Sequence, residues 1–328
     1  MEIFCPNCKG SNIVRKGKRK VKFDEKQMYY CKGCCKAFVD RGFKGKKYPE
    51  KAILDAVSTY NLGYTLEETA KAINRKFKIN ATKSSVQRWV KELKGMCTYS
   101  KFRGTVAKMY GTDTIVSKEF KRRGLSYNFR YHKGKSRLLG GEFPSLISYI
   151  KKQFKLYTNR LEARGPDFFD SIEKKCSQIK IEVNVEKKAC QNDASRLAAL
   201  ALKVRPEVRE RHSAVENFML INDDSTVACE VSVWLWEKNI RANIAGHIDL
   251  IQIKNGLVYI LDFKPVAARE NDSKVASQLY LYASGLSFRT SIPLDKFRCA
   301  WFDDKDYFEF EPRKAGVRYK IKDAAKIA

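Results

Sequence analysis

The sequence predicts a multidomain protein with a metal-stapled N-terminal segment, an all-helical segment and a C-terminal α/β domain. Three observations predict this: two CxxC pairs near the N-terminus, apolar residues at helical spacing over residues 48–94, and β-forming runs after residue 206. A length of 328 residues also favours several domains over one. We place the segments at 1–39, 48–94, 95–205 and 206–312, followed by a polar tail at 313–328.

The net charge of +28 is concentrated in the first two-thirds of the chain. Residues 1–110 contain 26 Lys and Arg against 9 Asp and Glu, which gives +17. Residues 111–205 contain 21 against 10, which gives +11, whereas residues 206–328 contain 18 of each. Such a concentrated excess predicts binding to a polyanion, above all to DNA. The neutral last third must be explained by its own chemistry.

The sequence gives no sign of a membrane protein or of a secreted one. It has no apolar run of about 18 residues, and its first ten residues lack the apolar core of a signal peptide. We therefore expect a cytoplasmic protein that works on DNA and does not contact a membrane. In that reducing compartment, paired cysteines favour a metal site over disulfides.

Two CxxC pairs are predicted to hold a structural zinc ion. Their cysteines are Cys5, Cys8, Cys31 and Cys34. Zinc prefers four tetrahedral ligands, and two tight turns with two thiolates each supply them without a large core. Cys35 directly follows Cys34 and could replace it as the fourth ligand, but the matching CxxC spacing favours Cys34.

This segment resembles the zinc ribbons of insertion-sequence transposases. The resemblance rests on CPNC, on the basic run KGKRK, and on QMYYCKGC followed by KAF. Many such ribbons have glycine at the position of Cys35, so the chain departs from them there. The resemblance implies contact with DNA and does not imply catalysis.

Residues 48–94 are predicted to form three helices with a shared apolar face. Thr65 and Glu68 form a capping box before the second helix, and Thr82 is the expected N-cap of the third. The segment resembles the helix-turn-helix of transposases and site-specific recombinases, which implies that the third helix reads the major groove. Its candidate DNA contacts are Lys83, Ser84, Ser85, Gln87, Arg88 and Lys91. The alternative is a plain three-helix bundle with a solvated basic face; in both, Trp89 is expected in the core.

Residues 111–165 combine cationic and aromatic side chains, which suits single-stranded or distorted nucleic acid. The cationic residues are Lys118, Lys121, Arg122, Arg123, Arg130, Lys133, Lys135 and Arg137, and the aromatic residues are Tyr127, Phe129 and Tyr131. The alternative is a solvated basic sheet edge.

Residues 247–264 are predicted to form a β-hairpin that turns at Asn255-Gly256. With a two-residue loop, the numbers of paired residues sum to 511. Asp249 then lies opposite Asp262, and their Cβ atoms should be about 5 Å apart. The remaining residues of the hairpin are nearly all apolar on both faces, which predicts a position in the middle of a sheet.

Two carboxylates facing each other in such surroundings repel and lose hydration. A hard cation such as Mg²⁺ or Mn²⁺ relieves both costs, so Asp249 and Asp262 are candidate metal ligands. The same register places His247 opposite Lys264, and Lys264 would reach the site to orient water or to stabilise charge on a phosphate. The alternative is a surface salt bridge between the carboxylates and Lys264.

Asp249 followed by Asp262-Phe-Lys264 resembles the core motif of the PD-(D/E)XK nuclease superfamily. Gln278 and Tyr282 match the QxxxY motif of RecB-like exonucleases and of the CRISPR-associated exonucleases related to them. The resemblance covers about residues 205–312. It implies a restriction-endonuclease-like domain with a mixed central sheet, in which Gln278 and Tyr282 support the DNA or the catalytic lysine.

In that group a His or Glu from the first helix joins the metal site. His212 and Glu216 are the candidates here, and the sequence does not choose between them. Glu230 is a further candidate, with a plain salt-bridge partner as its alternative. The CRISPR-associated relatives often carry an iron–sulfur cluster held by one upstream and three downstream cysteines. Only Cys299 lies downstream of Lys264, so no such cluster is expected.

The resemblance implies a metal-dependent deoxyribonuclease that hydrolyses phosphodiester bonds, in a mobile-element, recombination or repair process. A homodimer is compatible with a helix-turn-helix protein. Three alternatives remain open at this point. They are a non-catalytic DNA-binding regulator, an enzyme acting on RNA, and a transposase of the three-acid class, for which Asp113 is an isolated candidate.

Overall fold

A computed structural model describes most of the chain, and the chain divides into two compact units. The described residues are 5–21, 24–39, 48–122, 125–158, 174–179, 181–189, 192–204 and 210–319. The first unit contains residues 1–60 and 65–91, and the second contains 61–64 and 92–328. Within the described ranges, none of the helices has the length and apolar character needed to cross a membrane.

The first unit begins with a three-stranded antiparallel sheet. Its strands are β1 (Ile13–Val21), β2 (Asp24–Cys31) and β3 (Lys36–Val39). The register of β1 and β2 shifts between Arg15 and Lys18. Gly17 lies at this shift with a φ of 77°, a conformation that glycine adopts without steric cost. The sheet is polar and small, so a metal ion is the expected source of its stability.

Three helices complete the first unit: α1 (Glu50–Asn61), α2 (Leu66–Phe77) and α3 (Lys83–Leu93). The predicted capping box is confirmed, because Thr65 Oγ1 accepts from the Glu68 amide at 3.2 Å and the Glu68 carboxylate accepts from the Thr65 amide at 2.8 Å. Thr82 Oγ1 accepts from the Ser85 amide at 3.2 Å, as expected of an N-cap. The buried core side chains are Ile53, Leu54, Val57, Ala70, Ile73, Val86 and Trp89.

The second unit is a mixture of helices and strands. Its helices are α4 (Ser100–Tyr110), α5 (Lys133–Leu139), α6 (Pro144–Thr158), α7 (Asp193–Val204), α8 (Arg211–Asn222) and α9 (Asp272–Thr290). Its strands are β4 (Ile115–Arg122), β5 (Leu125–His132), β6 (Lys174–Lys175), β7 (Ile181–Asn184), β8 (Lys188–Ala189), β9 (Thr226–Glu237), β10 (Ala242–Lys254), β11 (Leu257–Phe263), β12 (Phe297–Phe302), β13 (Tyr307–Phe310) and β14 (Gly316–Tyr319).

Nine of the described strands form one mixed sheet. Its order is β4-β5-β9-β10-β11-β12-β13-β8, and β6 pairs with β10. Most neighbours are antiparallel, but β11 and β12 are parallel, and α9 supplies the crossover that a parallel pair requires. The chain is therefore a multidomain α/β protein with a mixed sheet, as the sequence predicts at this level.

The sheet begins earlier in the chain than the sequence boundaries indicate. The segment 95–205, predicted as a connecting region, contributes β4 and β5, and β5 pairs with β9 through Arg130 and Tyr131. Residues 316–319, expected in the polar tail, pair with β7, and the rest of that tail, 320–328, lies outside the described residues. The sequence does not predict these strands, because a segment this rich in basic residues is typical of solvated chain.

The predicted cationic and aromatic surface over 111–165 is wrong for four of its members. Phe129 is fully buried, Tyr131 is 9% exposed, and Arg130 is only 4% exposed. Lys135 is fully buried too, and its Nζ donates to the carbonyl oxygens of Leu220 and Asp223 at 2.6 and 2.5 Å. A buried cation is retained where such acceptors replace its hydration, so these side chains serve the fold. Arg123 lies outside the described residues.

Candidate functional site

The four predicted zinc ligands lie together at the N-terminus. The Sγ atoms of Cys5, Cys8, Cys31 and Cys34 are all within 4.8 Å of one another. Cys5 and Cys34 are 3.5 Å apart, and so are Cys8 and Cys31. Zinc–sulfur bonds of about 2.3 Å in a tetrahedron place sulfurs about 3.8 Å apart. The four cysteines could therefore bind a zinc ion.

Both cysteine turns have the same backbone design. The residue after the second cysteine has a positive φ in each: 61° at Lys9 and 55° at Cys35. This conformation explains why glycine suits the position of Cys35 in ribbons that resemble this one. Cys35 is exposed. The amide groups of Cys8 and Asn7 lower the pKa of the Cys5 thiol to about 6. The Gly10 amide lowers the pKa of the Cys8 thiol, but the contacts of this thiol with Cys31 and Cys34 outweigh that effect and raise its pKa to about 12.

The predicted DNA-contacting face of α3 is mostly accessible. Its exposed residues are Lys83, Ser84, Gln87, Arg88 and Lys91. Ser85 is half-buried beside the N-cap, while Val86 and Trp89 are fully buried on the other side of the helix. The helix therefore presents two lysines, an arginine and a glutamine to solvent on one side.

The hairpin has the predicted register. Pairs from Leu250–Leu261 to Lys254–Leu257 all sum to 511. Asn255 and Gly256 have φ values of 55° and 69°, the two positive values that a two-residue hairpin turn of this type requires. The paired region ends at Leu250.

Beyond Leu250 a side chain takes the place of a backbone hydrogen bond between the two strands. Asp249 Oδ2 accepts from the Phe263 amide at 3.1 Å. His247 differs from the prediction that it faces Lys264. It pairs with Ser232 of β9, and its ring stacks on Tyr127 with centroids 3.9 Å apart. The ladder between β10 and β11 ends at Leu250, so it contains no pair between His247 and Lys264.

Asp249 also has an acidic neighbour on its other side. Ile248 pairs with Val231 and Leu250 pairs with Cys229, so the register places Glu230 opposite Asp249. Glu230 has a φ of 52° inside a strand, where a side chain of this size is rarely found. Backbone strain of this kind is concentrated at functional sites. Three neighbouring strands therefore contribute Glu230, Asp249 and Asp262.

Burial and mutual repulsion change the acidity of this cluster. Asp262 is 1% exposed, and burial, followed by the charge of Asp249, raises its pKa to about 7. The same two causes raise the pKa of Glu230 to about 7. Lys264 Nζ lies 2.6 Å from Asp262 Oδ2. Burial lowers the pKa of Lys264, but the charges of Asp262 and Asp249 outweigh burial and raise it overall.

Both candidates on α8 lie at the cluster. His212 Nδ1 is 3.8 Å from Asp249 Oδ2, and this contact is the main reason that the pKa of His212 is raised. Glu216 is 2% exposed and forms an ion pair with Arg130 of β5. Burial, then the charges of Glu230 and Asp249, raise the pKa of Glu216 well above its usual value. His212 therefore faces the site from the accessible side and Glu216 from the interior.

Gln278 and Tyr282 contact each other on α9, with Gln278 Nε2 donating to Tyr282 Oη at 2.9 Å. A Cβ atom at Gly246 would lie 2.2 Å from Tyr282 Cε1, so glycine is required for the close approach of Tyr282 to β10. Among the described residues, no hydrogen bond joins this pair to Asp262 or Lys264. Tyr282 therefore packs α9 against β10, and Gln278 donates a hydrogen bond to it.

The sequence does not predict two features of the acidic cluster, and one candidate acid, Asp113, lies outside the cluster. Arg130 as the partner of Glu216 and Glu230 as the neighbour of Asp249 both depend on β5 and β9 pairing next to the hairpin. Asp113 is exposed and pairs with Lys133 at 2.5 Å, outside the acidic cluster.

The acidic oxygens are not gathered as tightly as the cysteine sulfurs. Within the described ranges, only the four cysteines bring three or more metal-binding atoms within 4.8 Å of one another. The carboxylates instead contact Lys264, Arg130 and the Phe263 amide. No protein-family model, no curated protein and no solved structure matches this chain.

Proposed function

We propose that this chain is a metal-dependent deoxyribonuclease whose active site is the carboxylate cluster of the second unit. The observation that carries the proposal is the convergence of Glu230, Asp249 and Asp262 from three neighbouring strands, with Lys264 beside them. We assign this unit a restriction-endonuclease-like fold, since a mixed sheet carries the acids on adjacent strands and a crossover helix follows the lysine.

The cluster fits a hard divalent cation. Mg²⁺ and Mn²⁺ prefer carboxylate oxygens, and a bound cation would offset the repulsion and burial that raise the pKa values of Asp262 and Glu230. Asp249 and Asp262 would hold it, and Glu230, Glu216 or His212 would complete its ligands. A cation bound there supplies Lewis acidity and lowers the pKa of a coordinated water.

The side chains around the acids have distinct tasks in this proposal. Lys264 is partly accessible and would stabilise negative charge that develops on the scissile phosphate. His212 has a side chain that is 49% exposed, so it can hold a water or a phosphate oxygen at the rim. Arg130 holds Glu216 in place through their buried ion pair. Gln278 and Tyr282 keep α9 in contact with β10.

The first unit would bring the enzyme to DNA. Its cysteine site would bind structural zinc, and the exposed face of α3 would contact the major groove of a duplex. The positive charge of the first two-thirds of the chain supports this arrangement. We place the activity in mobile-element, recombination or repair chemistry because of the transposase-like N-terminal motifs.

A specific observation favours a second candidate, a non-catalytic DNA-binding regulator. Lys264 and Arg130 already neutralise two of the acids, and the acidic oxygens are spread more widely than the cysteine sulfurs. In such a protein the cluster would be a buried ion-pair network that stabilises the sheet. DNA binding would then persist without any cleavage.

Cleavage assays separate the two candidates. Full-length wild type, Asp262→Asn and the exposed control Asp295→Asn are incubated with single-stranded, duplex and branched DNA and with RNA. Each substrate is tested with Mg²⁺, with Mn²⁺ and with EDTA. The nuclease proposal expects metal-dependent DNA cleavage by wild type and by Asp295→Asn, with loss in Asp262→Asn. Intact DNA binding with no cleavage by any protein would establish the regulator.

A further inference from the structure

An open groove of about 540 Å³ lies between α5 and the start of α6 in the second unit. Ser136 and Arg137 of α5 line one side, and Ser148, Lys151 and Lys152 of α6 line the other. The three residues of α6 are spaced i, i+3 and i+4, so they share one face of the helix. Two hydroxyl groups and three cations therefore surround the same groove.

Within the described residues, no acidic side chain pairs with the three cations of the groove. Arg137, Lys151 and Lys152 are exposed, and none of them has an ion pair with any residue that the structure describes. Cations held this close together repel one another unless an anion lies between them. The buried cations Arg130 and Lys135 of the same unit, in contrast, each have a protein acceptor.

The backbone fixes the shape of the groove. A Cβ atom at Gly140 would lie 2.2 Å from the carbonyl oxygen of Ser136 and 2.6 Å from Ile147 Cγ1. Glycine therefore allows the end of α5 to close onto α6, which brings Ser136 and Arg137 beside the cationic face of α6. This close approach at Gly140 sets the shape of the groove.

We propose that this groove binds the phosphate groups of a nucleic-acid strand, with Arg137, Lys151 and Lys152 contacting phosphate oxygens. The choice of ligand rests on the proposed function, because the acidic cluster repels a polyanion and the second unit needs cations elsewhere to hold it. Phosphate contacts position a strand without reading its sequence.

Binding in EDTA tests the groove without any need for cleavage. The full chain is titrated onto labelled single-stranded and duplex oligonucleotides over a range of salt concentrations. The groove variant is Arg137→Gln/Lys151→Gln/Lys152→Gln, and the charge-matched control is Lys238→Gln/Lys254→Gln/Lys305→Gln, three exposed lysines of the same unit. Circular dichroism verifies that both variants are folded.

The groove variant should bind at least about tenfold more weakly than wild type at moderate salt. Each phosphate contact contributes about 0.7 to 0.9 to the slope of log affinity against log salt, so the groove variant should lose roughly 2 to 3 from that slope. The control should lose less than about 1. Equal losses in the two variants would overturn the proposal.

Inorganic phosphate distinguishes a strand from a free anion. Phosphate that binds wild type, but not the groove variant, while both bind oligonucleotides equally, would show a site for small anions and overturn the assignment to nucleic acid. Phosphate that competes with the oligonucleotide on wild type supports the assignment.

Weaker binding by the groove variant in a protein that does not cleave DNA would retain the groove and reject the nuclease.

Discussion

At the scale of single residues, the buried carboxylate of Asp262 is the most informative group. Its pKa of about 7 lies above the ordinary value of 3.8, so the folded protein binds a proton that the unfolded chain has lost between these pH values. Stability that this proton provides is present below about pH 4 and is lost as pH rises through 7. Without metal, ionised Asp262 therefore destabilises the fold at pH 8.

Asp262→Asn removes that charge and tests this directly. In EDTA at pH 8, we expect the variant to be more stable than wild type by roughly 1 to 3 kcal/mol, measured by calorimetric melting. Mg²⁺ should raise the melting temperature of wild type and leave that of Asp262→Asn unchanged. Asp295→Asn serves as the matched control, and a stabilised control or a destabilised Asp262→Asn would count against the account.

His132 gives a prediction with the opposite dependence on pH. Burial, then the charge of Lys135, lowers the pKa of His132 to about 2, while the unfolded chain titrates near 6.5. The unfolded state therefore binds more protons below pH 6.5, and stability falls as the solution is acidified. His132 Nδ1 accepts from the Lys135 amide, a contact that asparagine can replace at the start of α5.

Urea unfolding between pH 4 and 6 should accordingly show a shallower pH dependence for His132→Asn than for wild type. The difference should approach about 1.4 kcal/mol per pH unit, the value for one proton. Identical slopes would mean that His132 is protonated in the folded protein.

Local geometry explains which residues of the site are predictable. The closeness of Asp249 and Asp262 follows from a two-residue turn and the alternation of side chains, both of which are visible in 18 consecutive residues, although the ladder itself ends one pair earlier, at Leu250–Leu261. The ion pair of Arg130 and Glu216 joins residues 86 positions apart, and the sequence gives no register between them. From the sequence alone, an arginine in a basic segment is expected in solvent, and its burial follows only from the pairing of its strand within the sheet.

At the scale of secondary-structure elements, α3 is the part of the first unit that the account assigns to DNA. Its exposed cations project away from the buried Val86 and Trp89. Lys83→Gln/Arg88→Gln should weaken duplex binding at least about tenfold and reduce the salt slope by roughly 2, since two phosphate or base contacts are lost.

Lys51→Gln/Arg75→Gln is the matched control, because it removes one lysine and one arginine that are exposed on α1 and α2. Fluorescence anisotropy on duplex DNA measures both variants. Equal affinities for the two would show that α3 is a solvated basic face of a three-helix bundle.

Elements with local signals are predictable, and elements that depend on distant partners are not. The capping box at Thr65 and the turn at Asn255 each depend on a few adjacent residues, and the structure contains both. β5 enters the sheet through pairs such as Arg130–Cys229, which local sequence cannot specify. The sequence boundary at residue 206 therefore separated strands that belong to one sheet.

At the scale of the whole molecule, the two units have different sources of stability. The second unit has an extensive apolar core around its sheet, whereas we expect the sheet of the first unit to depend on a zinc ion held by its four clustered cysteines. We expect one zinc per chain, measured by metal analysis, and loss of that zinc in Cys8→Ser. Cys35→Ser is the matched control and should keep its zinc, because Cys35 is exposed and outside the cluster.

Removal of zinc should unfold the N-terminal sheet and leave the second unit intact. In thermal melting, a chelator that removes zinc should therefore abolish the unfolding transition of the N-terminal sheet and leave the transition of the second unit unchanged. Loss of zinc in Cys35→Ser, or full zinc content in Cys8→Ser, would contradict the ligand set.

The uneven distribution of charge suggests which part of the chain would bind DNA and which part would act on it. The basic first two-thirds would capture DNA, and the neutral last third holds the acids that would act on it. The last third is neutral because it contains equal numbers of acidic and basic residues. Within it, ion pairs such as Lys264 with Asp262 determine the local charge of the site. A polyanion reaches the acids only when cations nearby hold it there.

The central claim is that the carboxylate cluster hydrolyses DNA with a divalent cation. The most direct test is the single-turnover rate of DNA cleavage as a function of Mg²⁺ concentration, for wild type and Asp262→Asn at saturating protein. We expect a rate that rises and saturates with Mg²⁺ in wild type and is at least about 100-fold lower in Asp262→Asn. A rate independent of Mg²⁺, or equal in the two proteins, would contradict it.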